Sequence, residues 1–381
     1  MNKVVIIGGG VLGLSTAKSL TARGGAEVTV LERNYIASGS SSLSAGFAMP
    51  LYNSYVDLRL IKRSYELLEV YEERGRVNLR RIGAMRLAHT PDDIATFKQS
   101  SARQAELGMH VSEVLDLEET SRVNPLFSPP ADVIGSWWDS RAAYLDGTEL
   151  CNAIAEDVRE QGGIIVQKAP VTGVLRGQGA HKFTVQTPKG DFEADTVVIA
   201  AGPWAGQVGE LFGTPITVQN ERHEMFTFEV DHLDHPVPML VDFIPDSPMG
   251  EGIAYRQEGE RQIVASLHSS NLLHPPTPDP DDWSTKMDDE RAEMVFGLLT
   301  EYFPDLDLRY RGGWAGLYPH GPTTAYQIGP HPADPDVIVG SGLAGRGLGP
   351  GLALGEVLAD WVLGGEMVSI PGAEEFNDLS A

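Results

Sequence analysis

The chain has 381 residues, 42% of them hydrophobic, which is typical of a globular protein with room for two domains. It carries 53 acidic and 29 basic residues, a formal net charge of −24. Nucleic acids and anionic membranes both bind basic faces, so we expect neither as a partner. A single cysteine, Cys151, excludes an intrachain disulfide and is expected to be a buried hydrophobe. No apolar run approaches the ~20 residues of a membrane span, and the sequence predicts a cytoplasmic protein.

The first 32 residues predict a βαβ unit. Lys3 to Ile7 is an apolar run ending in glycines, as in a buried parallel strand, and Glu27 to Leu31 is the next strand. A helix from about Val11 to Ala22 joins them. Such a unit is the usual start of a dinucleotide-binding domain.

The remaining elements alternate between helical and extended patterns. Tyr55 to Glu73 has apolar residues at helical spacing and predicts a long amphipathic helix. Further predicted helices are a charged one near Asp92 to Gln104, Thr148 to Gln161, Met287 to Tyr302, and Leu352 to Leu363. Predicted strands are Gly163 to Gln167, Phe183 to Thr187, Phe192 to Val197 running on to Gly202, Glu224 to Val230, Gly252 to Arg256, Arg261 to His268, and Val337 to Val339. The proline-rich Leu272 to Ser284 predicts a surface loop.

Three of the predicted strands end in glycine, at Gly8, Gly202 and Gly342, and we expect them at one carboxyl edge of a parallel sheet. Open α/β sheets bind their ligands at that edge. The first domain is therefore expected to be discontinuous, comprising 1–82, 144–215 and 311–381. The intervening segments, 83–143 and 216–310, are expected to form a second, strand-rich α+β domain. The fold class is α/β with this second antiparallel-sheet domain.

Gly8, Gly10 and Gly13 form a G-x-G-x-x-G motif between the first strand and the first helix. Gly8 permits the tight turn, Gly10 lets a pyrophosphate approach the helix N-terminus, and Gly13 allows helix and strand to pack closely. Glu32 follows 19 positions after Gly13 at the end of the next strand and should accept hydrogen bonds from ribose hydroxyls. A carboxylate there would repel a 2′-phosphate, so NADP is not expected.

Four further segments carry a resemblance to a known family. They are Ser40 to Gly46, Ala200 to Ala205, Gly313 to Pro319, and Gly342 to Gly349. In this combination the chain resembles the FAD-dependent D-amino acid oxidase family, with glycine oxidase and the sarcosine oxidases as the most similar members. The resemblance implies a glutathione-reductase-like FAD domain and a substrate domain built on an antiparallel sheet.

The motif and the resemblance together imply an FAD site. Its expected residues are Gly8, Gly10, Val11, Leu12, Gly13, Glu32, Arg33, Ser40, Ser44, Ala45, Gly46, Val171, Ala201, Gly202, Trp204, Gly316, Gly342, Gly345, Arg346, Gly347, Leu348 and Gly349. Relatives that attach FAD covalently carry a cysteine where this chain has Gly316 and Leu317. The resemblance therefore implies that FAD is bound without a covalent bond.

The resemblance also implies a reaction, the oxidation of a C–N bond by hydride transfer from the α-carbon to the flavin, followed by hydrolysis of the imine. The substrate is expected to be a small amine or amino acid, either secondary, N-methyl or D-configured. Glycine oxidase has a carboxylate-binding arginine where this chain has Tyr318, and sarcosine oxidase has arginines at the positions of Gly46 and Met49. The usual carboxylate anchors are absent, which leaves the substrate open.

The candidate catalytic or substrate-binding residues are Arg346, Tyr318, His268 and Tyr255, with Arg256 as a further basic candidate. Arg346 in the glycine-rich loop could bind a substrate group or form a salt bridge or flavin contact. His268 and Tyr318 could instead be structural, as a hydrogen-bonded histidine and a core aromatic. No metal site is expected, since His232 and His235 lack further ligands in the sequence.

The electron acceptor and two other functions remain open. Monomeric sarcosine oxidase has a lysine over the flavin, and aligning the strand that ends at His268 puts Val264 at that position. We therefore expect reoxidation by oxygen that is slower than in lysine-bearing relatives, with a dehydrogenase using another acceptor as the alternative. An NAD-linked dehydrogenase and a flavin-bearing assembly protein without catalysis are the competing functions, and the oligomeric state is not predicted.

Overall fold

The computed structural model of the chain describes residues 1–177, 180–242, 251–269, 273–323, 325–365 and 368–371. Four sheets organise it, of six, eight, three and three strands. The strands are β1 (Asn2–Ile7), β2 (Ala26–Leu31), β3 (Phe47–Ala48), β4 (Arg80–Arg81), β5 (Ala84–Ala88), β6 (Glu113–Leu115), β7 (Gly135–Asp139), β8 (Ala143–Tyr144), β9 (Ile164–Val166), β10 (Gly173–Arg176), β11 (Phe183–Thr187), β12 (Gly190–Ala194), β13 (Thr196–Ile199), β14 (Gln219–Glu229), β15 (Met239–Asp242), β16 (Glu251–Glu258), β17 (Gln262–Ser269), β18 (Arg309–His320), β19 (Gln327–His331) and β20 (Asp334–Ser341). The helices are α1 (Val11–Arg23), α2 (Tyr55–Glu73), α3 (Pro91–Glu106), α4 (Leu117–Val123), α5 (Gly147–Glu160), α6 (Ala205–Phe212), α7 (Asp289–Tyr302) and α8 (Gly351–Leu363).

The six-stranded sheet has the order β19-β20-β13-β1-β2-β9 and is parallel except for β19. Its strands are buried on both faces. Val4 and Ile6 face α1 and α8, while Val5 and Ile7 face the side covered by α6 and the β10-β11-β12 sheet. This double burial explains why the strands are continuous apolar runs rather than alternating patterns. As expected, β1, β13 and β20 are adjacent and end at one edge.

The eight-stranded sheet has the order β18-β14-β17-β16-β15-β5-β7-β6 and is mostly antiparallel. One face packs on α7, with Phe226 and Phe228 of β14 and Val295 and Leu299 of α7 in one core. The other face points towards the six-stranded sheet. There Arg256 of β16 donates from Nε to the carbonyl of Ala45 at 2.6 Å. The alternation of the strands therefore divides an apolar core from a face that meets the first sheet.

Most predicted elements are confirmed, and two require correction. The helix Tyr55–Glu73 has the predicted bounds. The predicted strand from Phe192 onwards is broken at Asp195, because its backbone N–H donates to the Lys3 carbonyl at 2.8 Å and its carboxylate accepts from the Lys3 N–H. The chain thereby leaves β12 and enters the six-stranded sheet as β13. The long strand β18 was not predicted. The glycine pair 312–313 interrupts its alternation of polar and apolar residues.

The division into two domains stays a prediction. β18 crosses the expected boundary between 310 and 311, and it belongs to the eight-stranded sheet. Residues 243–250 of the expected second domain, residues 372–381 of the expected first domain, and residue 272 of the predicted loop lie outside the described residues. None of the described helices is long and apolar enough to cross a membrane.

A buried histidine–carboxylate pair ties β5 to β15 and α7. His89 lies 2.8 Å from Asp242 through Nε2 and 2.9 Å from Asp132 through Nδ1. Asp242 also accepts a hydrogen bond of 2.6 Å from the Tyr302 hydroxyl. The hydrogen bond to Asp242 raises the pKa of His89 from 6.5 to about 9, against the opposing effect of burial. The imidazolium form therefore stabilises the second sheet.

The raised pKa of His89 predicts a pH dependence of stability. Its contribution is fully present below pH 6.5, the ordinary value, and is lost as the pH rises through about 9. Since one pKa unit corresponds to ~1.4 kcal/mol, the free energy of unfolding should fall by about 3 kcal/mol over this window. His89→Gln should abolish that component in urea titrations at about pH 6 and about pH 10.

His232→Gln is the control, because His232 also lies near a carboxylate, 3.5 Å from Asp234, but both side chains are exposed to solvent. It should keep the wild-type pH dependence. An unaltered slope in His89→Gln would contradict the assignment.

Candidate cofactor and substrate site

A cleft of about 380 Å³ lies at the carboxyl edge of the six-stranded sheet, with β18 of the eight-stranded sheet on its other side. It is the place where the sheet topology predicts a ligand. Three of its walls are the turn after β1, the small-residue loop 38–44, and the turn after β13. The fourth is formed by Leu317, Tyr318 and Pro319 of β18 and by the glycine-rich loop after β20. A long ligand would therefore contact both sheets.

Close backbone packing shapes the turn after β1. Gly8 has φ +121°, and a Cβ there would lie 2.2 Å from the Ala200 carbonyl oxygen. A Cβ on Gly13 would lie 2.1 Å from the carbonyl oxygen of Gly8. Only glycine fits either position, as the motif predicts. The N-terminus of α1 is thereby directed at the cleft, where its N–H groups attract anions.

Glu32 and Ser41 line the cleft beside this helix N-terminus. The Glu32 carboxylate is buried and accepts from the backbone N–H of Gly9 at 2.8 Å and of Asn34 at 2.7 Å. The Ser41 hydroxyl accepts from the N–H of Val11 at 3.1 Å. These bonds hold the Glu32 carboxylate in position to accept hydrogen bonds from a ribose. The Ser41 hydroxyl accepts from the Val11 N–H, a donor that could bind a phosphate instead.

Arg33 and Trp204, which both line the cleft, contact Asp281 of the loop that follows β17. The Arg33 guanidinium lies 4.6 Å from the Trp204 ring centroid and 2.8 Å from the Asp281 carboxylate. Asp281 also accepts from the Trp204 indole N–H at 3.0 Å. The predicted loop after β17 therefore reaches over the nucleotide-binding turns, an arrangement that the sequence did not reveal.

Most of the expected cofactor residues line the cleft. These are Gly8, Gly10, Val11, Leu12, Glu32, Arg33, Ser40, Ser44, Val171, Ala201, Gly202, Trp204, Gly345, Gly347 and Leu348. The residues that do not line it are Gly13, Ala45, Gly46, Gly316, Gly342, Arg346 and Gly349. Gly46 has φ +79°, and a Cβ there would meet the Leu145 carbonyl oxygen, while Gly316 packs on Leu43, so these two glycines support the loops. Whether all of them contact a cofactor stays a prediction.

Arg346 forms an ion pair rather than lining the cleft. Its guanidinium lies 3.6 Å from Asp57 and 4.2 Å from the Tyr326 ring centroid. Asp57 also accepts a hydrogen bond of 2.6 Å from the Tyr326 hydroxyl. The sequence left open whether Arg346 binds a substrate group or forms a salt bridge or flavin contact, and the structure contains the salt bridge. The negative charge of Asp57 offsets part of the positive charge that would attract a substrate anion.

The remaining catalytic candidates are Tyr318, His268 and Tyr255, and they do not all lie on the same face of the eight-stranded sheet. Tyr318 lines the cleft, and burial raises the pKa of its hydroxyl to about 12. Burial and the nearby His223 and Arg86 lower the pKa of His268 to about 4. Tyr255 requires a correction. It is fully buried in the α7 core beside Tyr302, because strand alternation turns it away from the face that carries Arg256.

Sequence reasoning missed a polar cluster on the face that holds Tyr318. A single oxygen of Glu221, Oε2, lies 2.9 Å from Nε2 of both His223 and His320. The His223 ring stacks on Tyr318 with centroids 3.8 Å apart. Burial would raise the pKa of Glu221, but hydrogen bonds from the two histidines hold it below its usual range. The signal was the i, i+2 spacing of Glu221 and His223, which was hidden because the strand was predicted to begin at Glu224.

A family model described as "FAD dependent oxidoreductase", DAO, matches residues 3–361. The chain belongs to the DAO family of FAD-dependent oxidoreductases. The expected family, its FAD cofactor, the oxidoreductase class and the two-part fold class are thereby confirmed.

Three of the similar proteins are named as oxidases or dehydrogenases of small amino acids. Human mitochondrial dimethylglycine dehydrogenase is 28% identical over 389 residues, which is 96% of this chain and 43% of that protein. Glycine oxidase of Pseudomonas aeruginosa strain PAO1 is 25% identical over 380 residues and 97% of both chains. The crystal structure of L-proline dehydrogenase from P. horikoshii has a TM-score of 0.83 at 25% identity, covering 98% of this chain and 96% of that one. The chain thus spans less than half the length of the mitochondrial dehydrogenase.

The residues present fit FAD. Gly10 and the N-terminus of α1 would hold the pyrophosphate, and Glu32 would hold the ribose hydroxyls. The residues that line the cleft extend from Arg33, beside the six-stranded sheet, to Tyr318 of the eight-stranded sheet. The family's cofactor therefore has a place in this chain whose glycines and carboxylate are arranged as its chemistry requires.

Gly13→Ala should prevent FAD from binding, because the new methyl would meet the Gly8 carbonyl oxygen and push α1 off the strand. The ratio of flavin to protein absorbance after purification measures this directly. Gly297→Ala on α7 is the control, since a Cβ there meets nothing within 4 Å. It should keep its flavin and gain ~0.5–1 kcal/mol of stability from helix propensity. Full flavin occupancy in Gly13→Ala would contradict the proposed packing role.

FAD should be released completely by acid precipitation, because the lining offers no cysteine or histidine among the described residues. The one cysteine, Cys151, is buried in α5, and burial raises the pKa of its thiol to about 12. A thiol with that pKa forms little of the nucleophilic thiolate. Absorbance of the supernatant and pellet tests the expectation, and flavin that stays with the pellet would overturn it.

Proposed function

We propose that the chain oxidises the C–N bond of a small amine or amino acid to an imine, with a secondary, N-methyl or D-amino acid as substrate. The family assignment supports the cofactor chemistry, and the end-to-end match to glycine oxidase supports the substrate class. The names of dimethylglycine dehydrogenase and L-proline dehydrogenase describe oxidations at a substituted nitrogen, which favours a secondary or tertiary amine. The observation that carries the proposal is a cofactor cleft whose far wall includes the Tyr318 side chain of β18.

When bound, FAD supplies the acceptor for the hydride and its electron pair. The chain's own residues would orient the substrate. Tyr318 stays protonated at neutral pH, since its pKa is about 12, and so can donate a hydrogen bond to a substrate oxygen or nitrogen. His268 does not line the cleft, and it stays neutral because its pKa is about 4.

The anchor for a substrate carboxylate is proposed among three arginines. Arg346 is paired with Asp57, and Arg256 bonds to Ala45 and Glu258. Arg86 of β5 lies on the face opposite to Met85 and Leu87 and contacts the oxygens of Leu51 and Asn53 at 3.4 and 3.5 Å. Arg86, which the sequence did not suggest, joins Arg346 and Arg256 as a candidate because its charge acts on His268.

An anaerobic screen of flavin reduction tests the proposed function. N-methyl amino acids, D-amino acids, proline and simple secondary amines would each be mixed with the oxidised protein without oxygen, and bleaching of the flavin band would be followed. We expect at least one N-substituted amino acid to bleach it, because a neutral substituted amine favours hydride transfer. Bleaching by NADH alone, or by no amine while dithionite still reduces the flavin, would refute the proposal in favour of a dehydrogenase or a non-catalytic flavoprotein.

If the Tyr318 hydroxyl binds the substrate, removing it should raise the substrate concentration needed for half-maximal bleaching of the flavin. A hydrogen bond of this kind contributes ~0.5–1.5 kcal/mol. Tyr318→Phe should therefore raise the substrate concentration for half-maximal bleaching about twofold to tenfold, with the flavin content unchanged. The exposed Tyr35→Phe is the control, and an equal effect of both substitutions would count against the assignment.

Oxygen is the proposed acceptor, with slow reoxidation. Val264 is buried and lies across from Arg256 in the β16–β17 pair, on the same sheet face. Arg256 is engaged by Ala45, Glu258 and the Tyr144 ring, so its charge is already partly balanced. A cation close to the flavin favours oxygen reduction, because negative charge develops on oxygen. Introducing one at Val264 should raise the rate.

Val264→Lys should speed reoxidation of the reduced protein in stopped-flow mixing with oxygen. Val264→Met, which is similar in length but uncharged, is the matched control and should leave the rate near the wild-type value. Equal rates in Val264→Lys and Val264→Met, or a fast wild-type reaction, would contradict the expected role of charge at this position.

A further inference from the structure

Glu221, His223 and His320 form a cluster outside the cofactor cleft. Each offers one ligand atom, and these three atoms all lie within 4.8 Å of one another. None of the three lines the cleft, whose wall at this point is Tyr318. The cluster is therefore a separate group of side chains that shares only the stacked Tyr318 ring with the proposed substrate site.

The fold holds the three ligand atoms in place. Glu221 and His223 are two residues apart on β14 and so lie on one face, and His320 ends the paired strand β18. The other carboxylate oxygen of Glu221, Oε1, accepts from the backbone N–H of Leu273 and His274. These bonds leave Oε2 directed at the two imidazoles. The Tyr318 ring restrains the orientation of His223.

The distances suit a small divalent ion. Ligand bonds of ~2.0–2.1 Å to a tetrahedral ion place neighbouring ligand atoms about 3.3 Å apart. The two oxygen–nitrogen distances are 2.9 Å, so a change of a few tenths of an ångström at each side chain would open the site. Two imidazole nitrogens and one carboxylate form a ligand set that Zn²⁺ uses, whereas Ca²⁺ and Mg²⁺ prefer oxygen ligands.

We propose that Glu221, His223 and His320 bind a divalent transition-metal ion such as Zn²⁺. Arg222 lies between the two ligands in sequence but points to the opposite face of β14. There Glu224 binds it at 2.7 Å and also bonds to His274 at 3.2 Å. The carboxylate of Glu221 is almost fully buried, so its charge is poorly screened and attracts a cation strongly. The fourth position of the ion would be open to water or an anion.

The test is a titration of the flavin-loaded protein with ZnCl₂ by calorimetry, after dialysis against a chelator, with metal content measured in parallel. The chain's 53 acidic residues will give a weak background, so a saturable component of one ion per chain is the expected signal. His320→Asn and Glu221→Gln should each weaken that component by at least about 100-fold, because even outer-shell partners of a metal contribute ~10–100-fold.

His232→Asn is the matched control, since His232 is a solvent-exposed histidine beside a carboxylate, and its Zn²⁺ affinity should equal that of the wild type. Flavin content and the urea midpoint of every variant establish that the fold is retained. Two results would overturn the proposal: no saturable Zn²⁺ binding in the wild type, or equal binding in His320→Asn, Glu221→Gln and His232→Asn. Either would leave the three residues as a hydrogen-bonded network without a metal.

Discussion

The close packing of α1 is the constraint on which the cofactor cleft depends. On one side Gly13 brings the helix onto the backbone of Gly8, and on the other a Cβ at Gly355 of α8 would lie 2.4 Å from the Cβ of Ser15. The helix is thus fixed between the sheet and α8 with no room for a methyl group at either contact. This fixed position directs the helix N-terminus at the edge where β1, β13 and β20 end. The pyrophosphate site follows from backbone geometry rather than from any charged side chain.

Three hydrogen bonds connect the second sheet to the loop that lines the cleft. Arg256 donates to the Ala45 carbonyl, the Trp314 indole donates to the Leu43 carbonyl at 2.9 Å, and the Ser40 hydroxyl donates to the Leu317 carbonyl at 2.7 Å. Two of them end on loop carbonyls and the third starts from a loop side chain, and together they fix the distance of the loop from β16 and β18. The cofactor wall and the substrate wall are therefore positioned relative to each other by the same short segment.

The eight-stranded sheet separates its chemistry by face. Towards α7 it has an apolar core with Phe226 and Ile253, beside which the buried Asp242 accepts from the Tyr302 hydroxyl. Towards the first sheet it carries Arg256, His268, Glu221 and His223, of which His268 is held neutral by burial. Buried polar groups are costly without partners, and we therefore propose that this group serves binding. The proposed oxidation and the proposed metal site both lie on it.

The sequence by itself determined the nucleotide-binding half. The G-x-G-x-x-G motif and Glu32 are local, because the turn, the helix start and the next strand lie within 32 residues, and their spacing carries the chemistry directly. The apolar runs of β1 and β13 likewise reported burial on both faces. The resemblance of short segments extended this to the family and to FAD.

Only the tertiary structure decided what the second sheet presents. Its candidate site residues come from β14, β16, β17 and β18, which are distant in sequence and adjacent only through antiparallel pairing. A one-residue uncertainty in a strand reverses which side chains face the site. That is why Tyr255 was assigned to the site although it lies in the α7 core, and why Glu221 and His223 were missed. The ion pair of Arg346 with Asp57 joins residues 289 positions apart, a distance in sequence at which local patterns carry no information.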